Sequence, residues 1–171
     1  VSIVYFTDLQ YGKFENKKRT NKLFNKIEHL DPDIIIFGGD LFDETCKMNQ
    51  EDIDYITSKL SKITAPLGKF CVLGEKDEAN SDIVRSILNQ SQFEILENKT
   101  ILLTNQKKDG ITLSALSNTP DPSKISTADA KYNLLVTHMP DTLINEDLST
   151  KSISLALCGH SHGTQITFPI L

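Results

Sequence analysis

The stretch IIIFGGD, residues 34–40, decides the fold. Its first four residues form a continuous run of β-branched and aromatic side chains, which predicts a strand buried on both faces. Two glycines then lead directly to Asp40, so the predicted strand ends at a carboxylate. A strand that is buried on both faces and followed by a polar turn is typical of a parallel sheet in an α/β protein.

The same arrangement recurs along the chain. We predict further strands over residues 1–6, 69–73, 132–137 and 153–158, and helices over 15–30, around 53–60 and around 83–88. Alternation of strands and helices in the first half predicts a parallel sheet covered by helices. In the second half, two short apolar segments at 101–103 and 111–113 flank a loop that ends in Asp109-Gly110, which predicts a hairpin.

Length and composition predict one globular domain over residues 1–171, with 39% apolar and 24% charged residues. The net charge is −5 and no basic face is evident, which argues against nucleic-acid binding. The three cysteines are odd in number and lack a CxxC spacing, so neither a disulfide framework nor a structural zinc site is predicted. Isolated cysteines favour a reducing compartment.

The sequence contains no long apolar run and no signal-peptide pattern, so we expect a cytoplasmic location. The chain nevertheless begins with Val1 inside an apolar run and stops at Pro169-Ile170-Leu171, where a predicted strand finishes. We therefore expect a longer gene product. An anchor in its N-terminal part would place the protein at the membrane periphery.

The functional signal is that every predicted core strand runs into a side chain that can bind a metal. In strand order these are Asp8, Asp40, Glu75, His138, and the pair His160 and His162. Each one alone could be a turn, a helix cap or a satisfied polar residue. The carboxyl ends of strands in open α/β sheets meet at ligand sites, so the coincidence of five such ends favours a shared metal or phosphate site. Mixed imidazole and carboxylate ligands suit Mn²⁺, Zn²⁺ or Fe²⁺.

These motifs resemble the calcineurin-like metallophosphoesterases, whose pattern is D-x-H, G-D, G-N-H-[DE], H and G-H-x-H. The resemblance covers essentially the whole chain in order. The segments His138-Met139-Pro140-Asp141 and His160-Ser161-His162-Gly163-Thr164-Gln165 are closest to a bacterial branch with H-x-P-D and G-H-T-H-G-G-Q. Some members of that branch are similar to membrane-anchored hydrolases of lipid-linked or nucleotide phosphodiesters.

The resemblance implies a four-layer α/β/β/α sandwich, classed as α/β or α+β, that holds two divalent ions. Asp8, Gln10 and His162 would then hold the first ion, and Asp40 would bridge both. His138, His160 and Glu75 would hold the second. Mn²⁺ is the favoured ion, with Zn²⁺, Fe²⁺ and Mg²⁺ as alternatives. His138 is also expected to take part in catalysis. The implied substrate is a small phosphoester or a lipid-linked phosphodiester.

Three positions depart from the family pattern. Gln10 and Lys76 stand where the family has histidines, and Glu75 stands where it has asparagine. An amide is a poorer ligand than imidazole for borderline metals, so the first ion should bind more weakly or be a harder ion. Lys76 is a cationic donor that could bind substrate and stabilise transition-state charge, but lysine holds its proton at neutral pH and is a poor general acid.

Two functions remain open from the sequence. The first is a metal-dependent phosphoesterase, and more specifically a phosphodiesterase. In this enzyme some metal ligands are substituted and Lys76 stands in the catalytic position. The second is a binding or regulatory module that keeps the fold without turnover, since fold does not guarantee function. A nucleotide-binding Rossmann domain is disfavoured because no G-x-G-x-x-G follows the first strand. Substrate specificity is expected from the loops 42–49 and 118–129.

Overall fold

A computed structural model describes residues 1–12, 16–104, 110–127 and 130–162. Eight strands and five helices lie in these ranges: β1 (Ile3–Phe6), α1 (Lys17–Leu30), β2 (Ile34–Phe37), α2 (Gln50–Lys62), β3 (Lys69–Cys71), α3 (Glu75–Glu78), α4 (Ser81–Gln90), β4 (Phe93–Ile95), β5 (Lys99–Thr104), β6 (Gly110–Leu116), β7 (Tyr132–Thr137), α5 (Thr142–Asn145) and β8 (Leu155–Cys158). None of the helices in these ranges is long and apolar enough to cross a membrane.

The first sheet is parallel throughout, with strand order β1-β2-β3-β4. Successive residues of β2 point to opposite faces, because side chains alternate along a strand. Ile35 and Phe37 pack against apolar residues of α1, α2 and α4, whereas Ile34 and Ile36 pack towards the second sheet. The apolar run in the sequence is continuous because both faces of this strand are buried.

The second sheet has strand order β5-β6-β7-β8. β5 and β6 pair antiparallel, as the hairpin prediction requires, and β6, β7 and β8 are parallel. Its inner face contributes Leu113, Ala115, Leu134 and Val136 to the core between the sheets. Its outer face is covered by apolar side chains of α5 and the neighbouring loops. The layers are therefore helix, sheet, sheet and a thin layer of loops with α5, which confirms the predicted α/β/β/α sandwich.

Three short elements were not predicted from the sequence: α3, α5 and β4. β4 is only three residues long, and its pairing with β3 depends on a partner more than twenty residues away. Three strands are shorter than predicted, since β1 begins at Ile3, β3 ends at Cys71 and β8 begins at Leu155. The two hairpin strands, β5 and β6, are longer than the predicted segments 101–103 and 111–113. The hairpin loop at 105–109, the first residue of the predicted first helix and the predicted C-terminal strand end at 169–171 lie outside the described residues.

Candidate metal centre

Three of the predicted ligands meet in a buried centre. The potential ligand atoms of Asp8, Asp40 and His138 all lie within 4.8 Å of one another. His138 Nε2 lies 3.5 Å from Asp40 Oδ2, and both side chains are almost fully buried. Asp8 and Asp40 follow neighbouring parallel strands of the first sheet, whereas His138 follows β7 of the second. The packing of the two sheets therefore assembles this buried centre.

His138 is oriented so that one ring nitrogen faces the carboxylates. Its Nδ1 lies 2.7 Å from the carbonyl oxygen of Gly38, and since a carbonyl can only accept, Nδ1 carries the proton and donates. Nε2 is buried and has no hydrogen-bond partner among the described residues. A buried polar atom without a partner is costly. A divalent cation between Nε2 and the two carboxylates would satisfy it, so the residues of the buried centre fit a metal ion.

The electrostatics of this pair agree with a cation site. Burial raises the pKa of Asp40, but the His138 ring and the Lys76 amide outweigh it and hold the pKa below its usual value. Burial also lowers the pKa of His138, yet Asp40 and the Gly38 carbonyl raise it above its usual value overall. Asp40 therefore stays ionised at neutral pH, as a metal ligand must.

The buried carboxylate of Asp77 holds the Asp40 turn in place. Its Oδ2 accepts hydrogen bonds from the Asp40 amide at 2.8 Å and the Gly74 amide at 2.9 Å, and its Oδ1 accepts from the Leu41 amide at 2.9 Å. The Lys76 amide donates to Asp40 Oδ1 at 3.2 Å. A Cβ on Gly74 would lie 2.1 Å from Asp40 Oδ1, so only glycine fits there. The sequence analysis assigned no role to Asp77, which directly follows Lys76.

Asp8 is held in a similar way on the other side of the buried centre. Thr7 Oγ1 donates to Asp8 Oδ2 at 2.8 Å, and the His160 amide donates to the same oxygen at 3.0 Å. Gly159 is required because a Cβ there would lie 2.3 Å from Thr7 Oγ1. Hydrogen bonds to a ligating carboxylate fix its orientation and tune the metal. The sequence analysis missed Thr7, although its position directly before Asp8 was a usable signal.

The remaining predicted ligands form an open rim around the buried centre. His162 Nε2 lies 3.5 Å from Asp8 Oδ1 and 2.8 Å from Gln10 Nε2. His160 Nδ1 lies 3.4 Å from Glu75 Oε1. These side chains are one-third to one-half exposed: His162 33%, His160 38% and Glu75 51%. The structure thus brings together all seven residues predicted to ligate metal, while their roles as ligands remain predictions.

Five of the predicted ligands share a strained backbone conformation. Left-handed φ angles occur at Asp8 (53°), Gln10 (43°), Asp40 (60°), His160 (65°) and His162 (52°). Non-glycine residues rarely adopt this region, and each such residue costs on the order of 1–3 kcal/mol. Strain of this kind persists where the surrounding structure holds it and is concentrated at functional sites. Backbone hydrogen bonds such as Asp8 N to Gly39 O at 2.9 Å supply that restraint.

Lys76 lies beside the buried centre. It is half-buried and, with Glu75, lines a neighbouring cleft of about 620 Å³ that Asp8, Asp40 and His138 do not line. Its backbone amide contacts Asp40, but its ammonium group makes no ion pair within the part of the chain that the structure describes. Its predicted role as a donor to phosphate therefore stays a prediction.

Comparison with known proteins finds relatives that are named metallophosphoesterases. The chain is 30% identical to an uncharacterized metallophosphoesterase of Campylobacter jejuni, over 100% of this chain and 46% of that protein. It is 28% identical to an uncharacterized metallophosphoesterase of Bacillus subtilis, over 98% of this chain and 60% of that protein. A UDP-2,3-diacylglucosamine pyrophosphatase of Chlamydia muridarum is 24% identical over 98% of this chain and 65% of its own length. The chain thus spans between 46% and 65% of these curated relatives.

A solved crystal structure superposes on 93% of this chain and 83% of its own with a TM-score of 0.53 at 11% identity, which supports the fold alone. The sequence model of the calcineurin-like phosphoesterases, a family that uses divalent metals, matches residues 1–164. The chain therefore belongs to the calcineurin-like phosphoesterase family.

Proposed function

We propose that this protein is a metal-dependent phosphoric ester hydrolase, and more specifically a phosphodiesterase. The observation that carries the proposal is Nε2 of His138, which faces two carboxylates in a buried centre and has no hydrogen-bond partner among the residues that the structure describes. Asp8, Gln10 and His162 would hold one ion, His138, His160 and Glu75 a second, and Asp40 would be shared. Divalent ions bound there, Mn²⁺ before Zn²⁺, Fe²⁺ or Mg²⁺, supply the positive charge that activates water and neutralises phosphate oxygens.

The chain's own residues supply the rest of the chemistry. Thr7 and the His160 amide orient Asp8, and Asp77 fixes the turn that carries Asp40, so both carboxylates are held before substrate arrives. Lys76 is the proposed cationic donor to the phosphate. Glu75 adds negative charge at the rim, which opposes an incoming phosphate unless a bound cation offsets it. A small phosphoester or a lipid-linked phosphodiester is the proposed substrate, in keeping with the Chlamydia muridarum relative, which is a UDP-2,3-diacylglucosamine pyrophosphatase.

The test is turnover by metal-stripped protein after separate addition of Mn²⁺, Mg²⁺ or Zn²⁺. We expect hydrolysis of bis(4-nitrophenyl) phosphate only after metal is added, fastest with Mn²⁺, and faster than hydrolysis of the monoester 4-nitrophenyl phosphate. Faster monoester hydrolysis would overturn the phosphodiesterase assignment. No hydrolysis of either ester with any of the ions would overturn the enzyme proposal itself.

A second candidate function is a binding module without turnover, and one contact favours it. Gln10 Nε2 lies 2.8 Å from His162 Nε2, so the amide occupies the ring nitrogen that would otherwise face a metal. This candidate predicts that calorimetry detects metal binding while no ester is hydrolysed. Restoration of the family residues through Gln10→His, Glu75→Asn and Lys76→His together would then create activity that the natural chain lacks.

A further inference from the structure

A side cleft opens next to the open rim and is lined by residues from two separate segments. Residues 42–48, which follow β2, form one wall, and residues from α3 and the first turn of α4 form the other. Its volume is about 620 Å³. Small-molecule sites usually have volumes of about 300–1,000 Å³, so the side cleft has room for an organic molecule and is much larger than a phosphate needs.

The side cleft is connected directly to the proposed metal centre. Glu75 belongs to both, since its carboxylate lies 3.4 Å from His160 Nδ1 and its side chain lines the cleft. Lys76 is the next wall residue, and its amide donates to Asp40 Oδ1 at 3.2 Å. A molecule with its phosphate at the buried centre would therefore extend its organic group past Glu75 and Lys76 into this space.

The chemistry of the walls indicates what kind of group would fit. Phe42, Met48 and Ile83 provide apolar surface, and Ile83 is one of the large apolar side chains that the fold leaves exposed. Lys47 and Lys76 line the same space, and neither ammonium group forms an ion pair within the described ranges. Asp43, Glu44 and Glu75 also line this space, and Asp43 Oδ1 accepts a hydrogen bond from the Thr45 amide at 2.7 Å. The walls thus combine an apolar surface with charged side chains of both signs.

We propose that the side cleft binds the organic group of the substrate, an amphipathic group of about nucleoside size attached to the reacting phosphate. This inference rests on the proposed function, since it places the phosphate at the metal centre. Apolar surface from Phe42, Met48 and Ile83 holds the organic group, while the phosphate is held at the metal centre. Specificity is therefore determined by residues 42–48 and by the start of α4.

The test compares organic phosphates with inorganic phosphate as ligands of the Mn²⁺-loaded protein, by calorimetry. Adenosine 5′-monophosphate and 4-nitrophenyl phosphate serve as probes, and the second is measured under conditions of negligible turnover. We expect at least one of them to bind at least about tenfold more tightly than inorganic phosphate, because it buries apolar surface that phosphate lacks. Binding of both organic phosphates no tighter than inorganic phosphate would overturn the proposal.

Two variants and a control test whether organic phosphates bind in the side cleft. Ala79→Phe adds a large side chain to the cleft wall at an exposed position with helical φ and ψ, so it should fold normally. We expect it to abolish the tenfold preference for organic phosphates and to leave phosphate affinity unchanged. Ile83→Gln, which removes apolar surface without filling the cleft, should reduce the same preference. Ile144→Phe is the matched control, because Ile144 is 82% exposed on α5 at the far side of the second sheet.

The outcomes separate the two proposals. Preferential binding of organic phosphates without hydrolysis of any ester would keep the side cleft and remove the proposed activity. Ester hydrolysis combined with equal affinity for phosphate and organic phosphates would remove the side cleft and keep the activity. An equal loss of preference in Ala79→Phe and in Ile144→Phe would also overturn the assignment of the cleft.

Discussion

The buried centre and the open rim differ in how much of the family pattern they retain. Asp8, Asp40 and His138 are the family residues, and they are almost entirely shielded from solvent. At the rim, Gln10 and Glu75 depart from the pattern, and the half-buried Lys76 beside them departs as well. Every substitution thus lies where side chains remain at least partly in water.

The physical reason is the different cost of changing a buried and an exposed polar group. Removal of one partner of a buried charged pair leaves the other uncompensated and costs about 3–5 kcal/mol. A substitution at an exposed position usually changes stability by about 0.5 kcal/mol or less. The buried centre is therefore constrained by folding as well as by chemistry, whereas the open rim is constrained by chemistry alone and can change while the fold persists.

The largest effect is expected at the buried centre, from Asp40→Asn. This change keeps the side-chain shape but removes the charge shared by both proposed ions. Turnover of bis(4-nitrophenyl) phosphate should fall by roughly 10³-fold or more, because such a ligand accounts for several kcal/mol of transition-state stabilisation. Asp54→Asn on the exposed face of α2 is the control and should retain activity. Similar turnover in the two variants would contradict a catalytic buried centre.

Lys76 offers the sharpest test of the rim. Lys76→Ala should lower turnover by roughly 10²–10³-fold, the range for loss of one transition-state donor. Lys76→His should retain or raise activity, because imidazole titrates nearer neutral pH and can protonate a leaving oxygen. Lys62→Ala at the exposed end of α2 is the control and should leave turnover unchanged. If the natural chain is inert and Lys76→His changes nothing, the binding module becomes the better description.

Gln10 determines how unequal the two proposed metal sites are. Calorimetric titration with Mn²⁺ should resolve two sites, with the His138–His160 site filling first because the other lacks one imidazole. Gln10→His should tighten the weaker site by about 10–100-fold, the scale of effects from residues that tune metal ligands. Two equally tight sites in the natural chain would show that Gln10 does not lower the Mn²⁺ affinity of its site.

Thr7 tests whether the support of Asp8 matters. Thr7→Val removes the hydroxyl that donates to Asp8 Oδ2 and should weaken Mn²⁺ binding by about tenfold. Thr7→Ser keeps the hydroxyl and should bind Mn²⁺ nearly as the natural chain does. Equal weakening in both variants would point to lost packing rather than to the hydrogen bond.

The smallest effect on turnover is expected at the opposite end of β3, where Lys69 is buried. Its ammonium group donates to the carbonyls of Leu60 at 2.9 Å and Ile63 at 3.1 Å, and it lies over the Phe93 ring. Burial lowers the pKa of Lys69 to about 8 from an ordinary value of 10.5. Between these values the unfolded chain binds more protons than the folded chain, so this residue's contribution to stability rises with pH and is lost as pH falls through 8.

Relative to Lys69→Met, the natural chain should therefore gain about 1–3 kcal/mol of unfolding free energy between pH 8 and pH 10.5, since each pKa unit corresponds to about 1.4 kcal/mol. Urea unfolding at both pH values measures this difference, and metal-dependent turnover at pH 7 should be alike in the two proteins. A difference in stability that does not vary with pH would contradict the lowered pKa.

Much of this molecule was predictable because its core strands are short, apolar and followed by polar turns. The bounds of β2 and β7 agree with the prediction, and the predicted strand-end residues from Asp8 to His162 lie around one site. The elements missed were those with little local signal. β4 has three residues, and its identity as a strand depends on pairing with β3.

The sequence by itself determined the order of the strands, the alternation with helices and the residues delivered to the strand ends, since these follow from local periodicity. Tertiary structure alone decided that His138 directs towards Asp40 an Nε2 atom that has no hydrogen-bond partner in the described ranges. It also decided that Asp77, 37 residues away in the sequence, holds the Asp40 turn, and that a cleft opens between residues 42–48 and α4. The physical reason is the distance along the sequence between the residues that determine each feature. Local patterns report which face a residue prefers, whereas hydrogen bonds and cavities depend on partners that only the packed sheets bring together.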